Sequence, residues 1–498
     1  MANNTQGNNH GKVLLRSTAW ALFDNMSSQI LNFVIFAALA RFVSPADIGL
    51  LTLSLLFVQL FRLTVYSSIA TAIVRKAHPT EEDYNTAFIM CLILAAPAVI
   101  VLYLLAPFIE HYTRVVGVEK IVRYTALMLI TNGLSCTHEA WLRHNLQFRS
   151  LAARSFISLV AGGVVGVGLA YNKFGVMSLV AQQLVTSVSA LALLWRLTPW
   201  RPRLQFSRKS FLEIINYSKH VAATTITNFA NQNSDSFFIT YFLGASATGL
   251  YAAGKRICNT ITMALTAAFS RAALPGFARA SDELPQLRKL YVDSTALTIL
   301  VLSPLFVGLA IYAQDTIALL LGKKWLEAAP VLACLALSGA ITSLNSYNQS
   351  ILLVKNRPHW QTRLAIISGI TNLITFALFT RYGIFWTAVA FSVRAVLYAP
   401  LSTWCALTTL GLNWKVYLKA CLPTIISSII MAMVLLFIKT VYRSPIPLVN
   451  ILIGVIIGAP IYIIIAWVTI PSSYRYVIKQ NWKFWKAKRQ IAKIDGKS

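Results

Sequence analysis

Apolar runs long enough to cross a bilayer as helices, which takes about 20 residues, recur along the whole chain. Short breaks with turn residues or charges separate them, for example at Ser44-Pro45 and at His78-Pro79-Thr80. The pattern predicts fourteen transmembrane helices. Their expected bounds are 17–43, 48–74, 84–109, 121–145, 153–172, 175–197, 213–243, 247–277, 290–313, 325–354, 361–381, 384–410, 417–440 and 446–470.

The most polar interior break, residues 198–209, lies between the sixth and seventh predicted helices and divides the chain into two halves. We therefore expect an all-α integral membrane protein with two six-helix lobes and two additional C-terminal helices. The expected divisions are an N-lobe at 1–200, a C-lobe at 201–411, the final helix pair at 412–472 and a basic cytoplasmic tail at 473–498.

Composition supports a membrane protein, because 57% of the residues are hydrophobic and 12% are charged, against about 25% charged in soluble domains. The net charge is +28, and the positive residues concentrate in the breaks. Alternate breaks, counted from the N-terminus, hold thirty Lys and Arg residues, and the opposite set holds ten. This bias places both termini in the cytoplasm and predicts contact with anionic lipids instead of nucleic acid.

The two halves contain related segments. Residues 42–50 (FVSPADIGL) follow the first predicted helix, and residues 242–250 (FLGASATGL) follow the seventh. The aromatic-glycine pairs at 174–175 and 382–383 precede the sixth and twelfth helices. Because each repeat contains an even number of helices, the repeats share one orientation and relate by a pseudo-twofold axis along the membrane normal. Two such lobes with a cavity between them indicate a transporter.

The stretch 231–244 (NQNSDSFFITYFLG), which runs into TGLY at 248–251, resembles the multidrug/oligosaccharidyl-lipid/polysaccharide exporter superfamily, and within it the polysaccharide flippases. Residues 37–45 resemble the same element after helix one, and the similarity spans about residues 12–410. The resemblance implies a carrier that moves lipid-linked oligosaccharides across the membrane. Its last two helices are the extension expected in that superfamily.

Four cations lie deep in predicted apolar helices, where insertion scales put the cost of a charge at about 3 kcal/mol. A cationic cavity fits a substrate that carries pyrophosphate, and the alternative is ion pairing inside the protein. Flippases of the lipid-linked peptidoglycan precursor, which this chain resembles, use cations on their first, second and eighth helices. The candidates here are Arg62 on the second helix, Lys255 and Arg256 on the eighth and Arg394 on the twelfth.

Acidic and amide side chains are the candidates for coupling-ion binding or sugar contact. Helix seven has a polar face, because Asn228, Asn231 and Asp235 recur at helical spacing. Hydrogen bonding between helices is the alternative role for such a face. The remaining candidates are Asp24 and Asn25 on helix one, Glu139 on helix four and Asn372 on helix eleven.

Sodium-linked relatives combine an acid on helix seven with an Asn and a second acid on helix eleven. Asp235 and Asn372 match this pattern, but Phe376 stands one turn after Asn372. Coupling to protons and coupling to sodium both remain open, and no other cofactor and no metal site are expected.

The predicted function is translocation of a prenyl-pyrophosphate-linked oligosaccharide from the cytoplasmic to the periplasmic leaflet by alternating access, for surface polysaccharide synthesis. A polymerase and a chain-length regulator of the same pathway are the expected protein partners. A drug or cation antiporter of the same superfamily is one alternative, and a membrane glycan polymerase or ligase is another. The sequence contains no DxD, P-loop or GxSxG motif, which favours a transporter over an enzyme.

Overall fold

The computed structural model describes the backbone of residues 2–469 and the side chains of that range other than those at 2–18, 22, 264–272 and 274. Every regular element in the described range is a helix. The basic tail predicted at 473–498 lies outside these residues. The α-helices follow one another as α1 (Ala2–Ala40), α2 (Pro45–Phe61), α3 (Ser67–Arg75), α4 (Glu81–Thr113), α5 (Val118–Ala126), α6 (Met128–His144), α7 (Phe148–Tyr171), α8 (Val176–Leu197), α9 (Arg208–Arg279), α10 (Leu284–Ile311), α11 (Ala313–Leu320), α12 (Ala329–Thr342), α13 (Asn348–Val354), α14 (Pro358–Phe379), α15 (Ile384–Leu410), α16 (Trp414–Val441) and α17 (Pro447–Thr469).

Capping boxes fix the starts of α2 and α4. The Asp47 N–H donates to the Ser44 hydroxyl, and the Ser44 N–H donates back to the Asp47 carboxylate. Thr80 and Asp83 form the same arrangement at α4. These side chains satisfy N–H groups that no helical carbonyl reaches. The two breaks that the sequence marks are therefore helix starts, as predicted.

Twelve segments of the described chain are long and apolar enough to cross a membrane. One of them, Arg208–Met263, contains Gly244 with φ 81° and ψ −175°, so α9 consists of two helical arms that meet at this glycine. The short helices α5 and α6 together have the length of one further crossing between α4 and α7. The predicted all-α membrane fold is confirmed, and with these two adjustments the helices of the described residues match the predicted count of about fourteen.

Three predicted helices are interrupted where the sequence gives no signal. The second helix contains a π-helical turn at Arg62–Tyr66 between α2 and α3. The fourth breaks at Leu127, between α5 and α6. The tenth begins as a 3-10 helix at Lys323–Ala328 and contains a second one at Ser343–Asn345. The first of these interruptions begins at Arg62, one of the predicted site residues.

Backbone conformations recur at matching places in the two predicted repeats. Gly175 before α8 and Gly383 before α15 both have positive φ, 55° and 108°, which explains why glycine stands at both. Leu146 after α6 and Asn356 after α13 also have positive φ, 54° and 51°. These correspondences support the internal repeat. The second pair was not recognised from the sequence, because Leu and Asn share no side-chain chemistry.

The start of α2 and the second arm of α9 approach each other with their backbones. A Cβ atom at Gly49 would lie 1.8 Å from the Ala245 carbonyl oxygen, and one at Gly249 would lie 1.8 Å from the Pro45 carbonyl oxygen. With the offset of 200 residues between the repeats, Gly49 corresponds to Gly249 and Pro45 to Ala245. A twofold relation therefore turns one contact into the other. The predicted pseudo-twofold axis accordingly fits this reciprocal contact.

The described chain forms two compact units, each with its own core. The first unit contains the residues up to Ala264 together with Leu320–Val331 and Ile366–Phe391, and the second contains the remaining described residues. The main core of the first unit includes Tyr66 of the π-helical turn. That of the second includes Tyr291, a fully buried ring. The predicted lobe boundaries at 200 and 411 stay a prediction.

Candidate substrate and ion site

Asp235 and Lys255 form an ion pair between the two arms of α9. Nζ of Lys255 lies 2.5 Å from Oδ2 of Asp235 and 2.8 Å from the carbonyl oxygen of Gln232. Asp235 is 4% exposed, and the Lys255 side chain is 28% exposed. A charge in apolar surroundings is tolerated when an opposite charge and hydrogen bonds accompany it. Each of the two residues therefore neutralises the other.

Ser236, the residue after Asp235 on α9, contacts the same carboxylate. The Ser236 N–H donates to Oδ1 of Asp235 at 2.7 Å, and the Ser236 hydroxyl lies 3.4 Å from the same oxygen. The Gln232 carbonyl is the regular helical acceptor for that N–H, and here it accepts from Lys255. One turn of α9 thus presents a carboxylate oxygen and a main-chain carbonyl to a single ammonium group.

Asn231 lies one turn before Asp235 and joins α9 to α14. Nδ2 of Asn372 donates a hydrogen bond to Oδ1 of Asn231. Asn372 is buried, and its own Oδ1 has no hydrogen-bond donor among residues 2–469. Four of the predicted site residues are therefore neighbours. We call them the Asp235 cluster: Asn231, Asp235, Lys255 and Asn372.

Arg256 follows Lys255 in the chain but contacts a different helix. Its Nη2 donates to the Asn32 carbonyl at 3.2 Å, and its Cζ lies 4.5 Å from the centroid of the Phe36 ring, both on α1. Neighbouring residues on a helix are about 100° apart, so the two cations point to different partners. Arg256 is exposed, and no carboxylate of the described chain forms a salt bridge with it. Its remaining N–H groups are available to an anion.

Arg62 begins the π-helical turn that interrupts the second membrane crossing. Its carbonyl oxygen accepts from the Ser67 N–H, five residues on, which defines the turn. Tyr66 at the end of the turn is buried in the core, whereas Arg62 is exposed. Its guanidinium makes no hydrogen bond and no salt bridge with any residue whose side chain the structure describes. π-helical turns occur frequently at functional sites, and this one presents an unpaired cation.

Glu139 on α6 is held by two arginines. Its Oε1 lies 2.6 Å from Nη2 of Arg143, and its Oε2 lies 3.6 Å from Nη1 of Arg154 on α7. Arg62 also acts on Glu139 electrostatically, without reaching salt-bridge distance. The acid predicted as a sugar or ion contact is thus part of an arginine-rich group. Arg154 was missed from the sequence because it comes from another helix.

Arg394 belongs to the second compact unit. Its Cζ lies 5.4 Å from the centroid of the Tyr398 ring, one turn further along α15. The Tyr398 hydroxyl in turn donates to the Leu364 carbonyl of α14 at 3.1 Å. Cations over aromatic faces are stabilised by the ring quadrupole. The surroundings of Arg394 are therefore aromatic, unlike those of Lys255.

The other predicted residues, Asp24, Asn25 and Asn228, form no hydrogen bond or salt bridge with another predicted site residue within the described chain. Asp24 accepts a hydrogen bond from the Ser28 hydroxyl one turn later on α1, at 3.3 Å. Asn25 and Asn228 are exposed and make no hydrogen bond within the described part of the chain. Their side chains remain open to water or to a ligand.

The chemistry that these residues offer is electrostatic. Arg62 and Arg256 are cations without a carboxylate partner among the described residues, and Asp235 is an acid whose charge Lys255 balances. In the same range no three His, Cys, Asp or Glu residues lie close enough to hold a metal ion. The Gln232 carbonyl and the Ser236 N–H also belong to the site. Neither carries a sequence signal, because main-chain groups are identical at every position.

A model of the family described as "Polysaccharide biosynthesis protein" matches residues 38–330. The succinoglycan biosynthesis transport protein ExoT of Rhizobium meliloti (strain 1021) is 25% identical over 492 residues, which cover 94% of this chain and 96% of ExoT. The teichuronic acid biosynthesis protein TuaB of Bacillus subtilis (strain 168) is 21% identical over 416 residues, 82% of this chain and 85% of TuaB.

Among solved structures, the lipid II flippase MurJ in an inward closed conformation is similar with a TM-score of 0.75. The match covers 92% of this chain and 99% of the MurJ chain at 15% identity. At this level of identity the similarity shows a shared fold. Because the match covers 92% of the chain, the similarity concerns the fold as a whole and not one segment.

Proposed function

The chain belongs to the polysaccharide biosynthesis protein family, and on this basis we propose that it is a flippase for prenyl-pyrophosphate-linked oligosaccharides. The headgroup enters from the cytoplasmic leaflet while the prenyl tail stays in lipid. Alternating access of the two lobes then exposes the headgroup to the periplasmic leaflet. The glycan becomes part of a surface polysaccharide such as an exopolysaccharide, a capsule or an O-antigen.

The guanidinium groups of Arg62 and Arg256, which form no salt bridge with a described carboxylate, carry this proposal. A charge pair at about 4 Å contributes about 4 kcal/mol at an effective dielectric near 20, before desolvation is subtracted. Arginine also binds phosphate oxygens with two parallel N–H donors. Two such groups can offset the lost hydration of a pyrophosphate. The names of ExoT as a transport protein and MurJ as a flippase support the same activity.

The roles of the other residues follow from their partners. Lys255 is engaged by Asp235, so it contributes less to headgroup binding than Arg62 and Arg256. Arg394 lines the substrate path through the second lobe. The exposed amides Asn25 and Asn228 contact sugar hydroxyls, with Asp24 and Glu139 as secondary polar contacts. The Asp235 cluster couples transport to an ion gradient.

The proposed location is a bacterial inner membrane with both termini in the cytoplasm, according to the distribution of Lys and Arg over the breaks. Anionic lipids contact the basic breaks. A polymerase and a chain-length regulator use the translocated product and are the proposed protein partners. Bond formation on the glycan belongs to those partners.

A drug or cation antiporter of the same superfamily is the second candidate. A carrier for organic cations requires an available acid, and the acid buried in α9 is neutralised by Lys255 at 2.5 Å. Arg62 and Arg256 have no carboxylate partner among the described residues, which favours an anionic substrate. Uptake of cationic dyes by cells that express the chain distinguishes the two functions, and we expect none above the vector control.

The in vivo test is complementation of a host strain whose own polysaccharide flippase is deleted. We expect the wild type to restore surface polysaccharide, and Arg62→Ala and Arg256→Ala to fail at normal protein abundance. Lys120→Ala is the matched control, because Lys120 is an exposed cation with no salt bridge within the described residues. Normal export by both arginine variants would remove the proposed site.

A further inference from the structure

We propose that Lys255 is the built-in cation of the Asp235 cluster, and that it makes this carrier independent of sodium. The inference rests on the proposed function, since it specifies the ion coupling of the same site. In the conformation described here, Lys255 and not a sodium ion balances the charge of Asp235. Three observations support it: the occupied oxygens of Asp235, the position of the ammonium group and the lack of a second acid.

Both carboxylate oxygens of Asp235 have partners from the chain itself. Oδ1 accepts from the Ser236 N–H at 2.7 Å, and Oδ2 lies 2.5 Å from Nζ of Lys255. A carboxylate in an apolar helix needs a proton, a bound cation or a cationic side chain to balance its charge. The Lys255 ammonium fulfils this role here. No further positive charge is required for neutrality.

The ammonium group occupies the position that a small hard cation would take. It lies between the Asp235 carboxylate oxygen and the Gln232 carbonyl oxygen, 2.5 and 2.8 Å away. Carboxylate and main-chain carbonyl oxygens are the ligands that hard metal cations prefer. Asn372 bonds Asn231, one turn before Asp235, and its buried Oδ1 has no donor among the side chains that the structure describes. Removing the ammonium group would therefore leave a cation site with several oxygens.

The neighbouring residues supply no second negative charge. Asn231 and Asn372 are neutral and bonded to each other. Phe376, one turn after Asn372 on α14, is 2% exposed and stacks on Phe391 with ring centroids 5.8 Å apart. With Lys255 in place the cluster has no net charge. A sodium ion added to it would be repelled by the ammonium group without compensation.

Sodium alone is the probe that tests this inference. The full-length chain is purified in lipid nanodiscs, and its Tm is compared in NaCl and in choline chloride at equal ionic strength and mildly alkaline pH. We expect the wild-type Tm to be the same in both salts. Lys255→Met should gain a sodium-specific rise of about 2–5 °C, because a cation that binds only the folded state raises its stability.

Two controls separate site formation from a general salt effect. Asp235→Asn combined with Lys255→Met removes the acid as well, and we expect no sodium response. Lys439→Met makes the same side-chain change in α16, where Nζ donates to the Ile311 carbonyl without a salt bridge to a described residue. It should also give no response. Lys255→Gln replaces Lys255→Met if the latter does not fold.

A sodium-stabilised wild type would overturn the inference without any variant. Equal Tm values in the two salts for a folded Lys255→Met or Lys255→Gln protein would overturn it as well. Because the probe contains no glycan, these outcomes are independent of the flippase proposal. A chain that responds as expected but fails to restore surface polysaccharide would contradict the proposed function alone.

Discussion

Arg62 and Lys255 are both cations inside apolar membrane helices, and their surroundings are opposite. Lys255 is half-buried and lies 2.5 Å from a carboxylate of its own chain. Arg62 is exposed at the start of a π-helical turn and has no salt bridge within the described residues. The depth of a charge in the membrane sets the free-energy cost of placing it there, whereas the presence or absence of an opposite charge decides its role. An unpaired cation can bind substrate, and a paired one maintains neutrality.

Breaking the pair at Asp235 should produce the largest effect. Asp235→Leu leaves Lys255 without its acid, and the loss of one partner from a buried pair costs about 3 kcal/mol or more in stability. We expect a clearly lower Tm in detergent. Adding Lys255→Met should restore most of the loss, since both charges are then absent. Additive losses in the double variant would mean that the two residues are not coupled.

Removing Arg62 should affect transport and leave stability unchanged. Arg62→Ala removes no salt bridge, so its Tm should stay within about 2 °C of the wild type. Export of surface polysaccharide should fall at least about tenfold, which corresponds to about 1.4 kcal/mol of lost headgroup binding. Arg62→Lys should recover part of the export. A large drop in Tm with normal export would reverse the roles assigned to Arg62 and Lys255.

Neutralising Glu139 should raise the affinity of the site at Arg62 for an anion, because this acid reduces the positive potential near Arg62. Glu139→Gln removes the negative charge and leaves the amide to bond Arg143 and Arg154. We expect inorganic pyrophosphate to bind the purified variant about two- to threefold more tightly, as measured by calorimetry, since solvent screens this partly exposed group. Weaker binding would show that Glu139 holds the arginines in the binding geometry.

The smallest effect is expected at the edge of the Asp235 cluster. Asn372→Leu removes the hydrogen bond to Asn231, and such bonds between membrane helices average about 0.6 kcal/mol. The Tm should therefore fall only slightly. A loss as large as that of Asp235→Leu would indicate that Asn372 takes part in charge balance itself.

The sequence predicted the helices well because apolar length alone determines a membrane crossing. Asn231 and Asp235 were predicted from helical spacing, Lys255 as a cation in an apolar helix and Asn372 from the resemblance. The structure pairs Asn372 with Asn231 and Lys255 with Asp235, while the roles of these residues stay predictions. The sequence did not predict the π-helical turn at Arg62–Tyr66, because no local sequence motif marks this turn.

The sequence also did not predict which side chains of distant helices contact each other. Lys255 and Arg256 are adjacent cations, and the sequence could state only that they point about 100° apart. Which of them would meet Asp235, and which would reach Asn32 and Phe36 on α1, depends on how the arms of α9 bend at Gly244. The second positive-φ pair, Leu146 and Asn356, was missed because backbone conformation is repeated there without side-chain similarity.

The most direct measurement is translocation of a fluorescent prenyl-pyrophosphate-linked disaccharide in vesicles that contain the purified chain. Added reductant quenches only the label in the outer leaflet, so the rate at which inner-leaflet label becomes accessible reports transport. We predict transport by the wild type and by Lys120→Ala, and none by the Arg62→Ala/Arg256→Ala double variant. Equal transport by the double variant, or a wild type that moves a cationic dye and not the pyrophosphate lipid, would contradict the account.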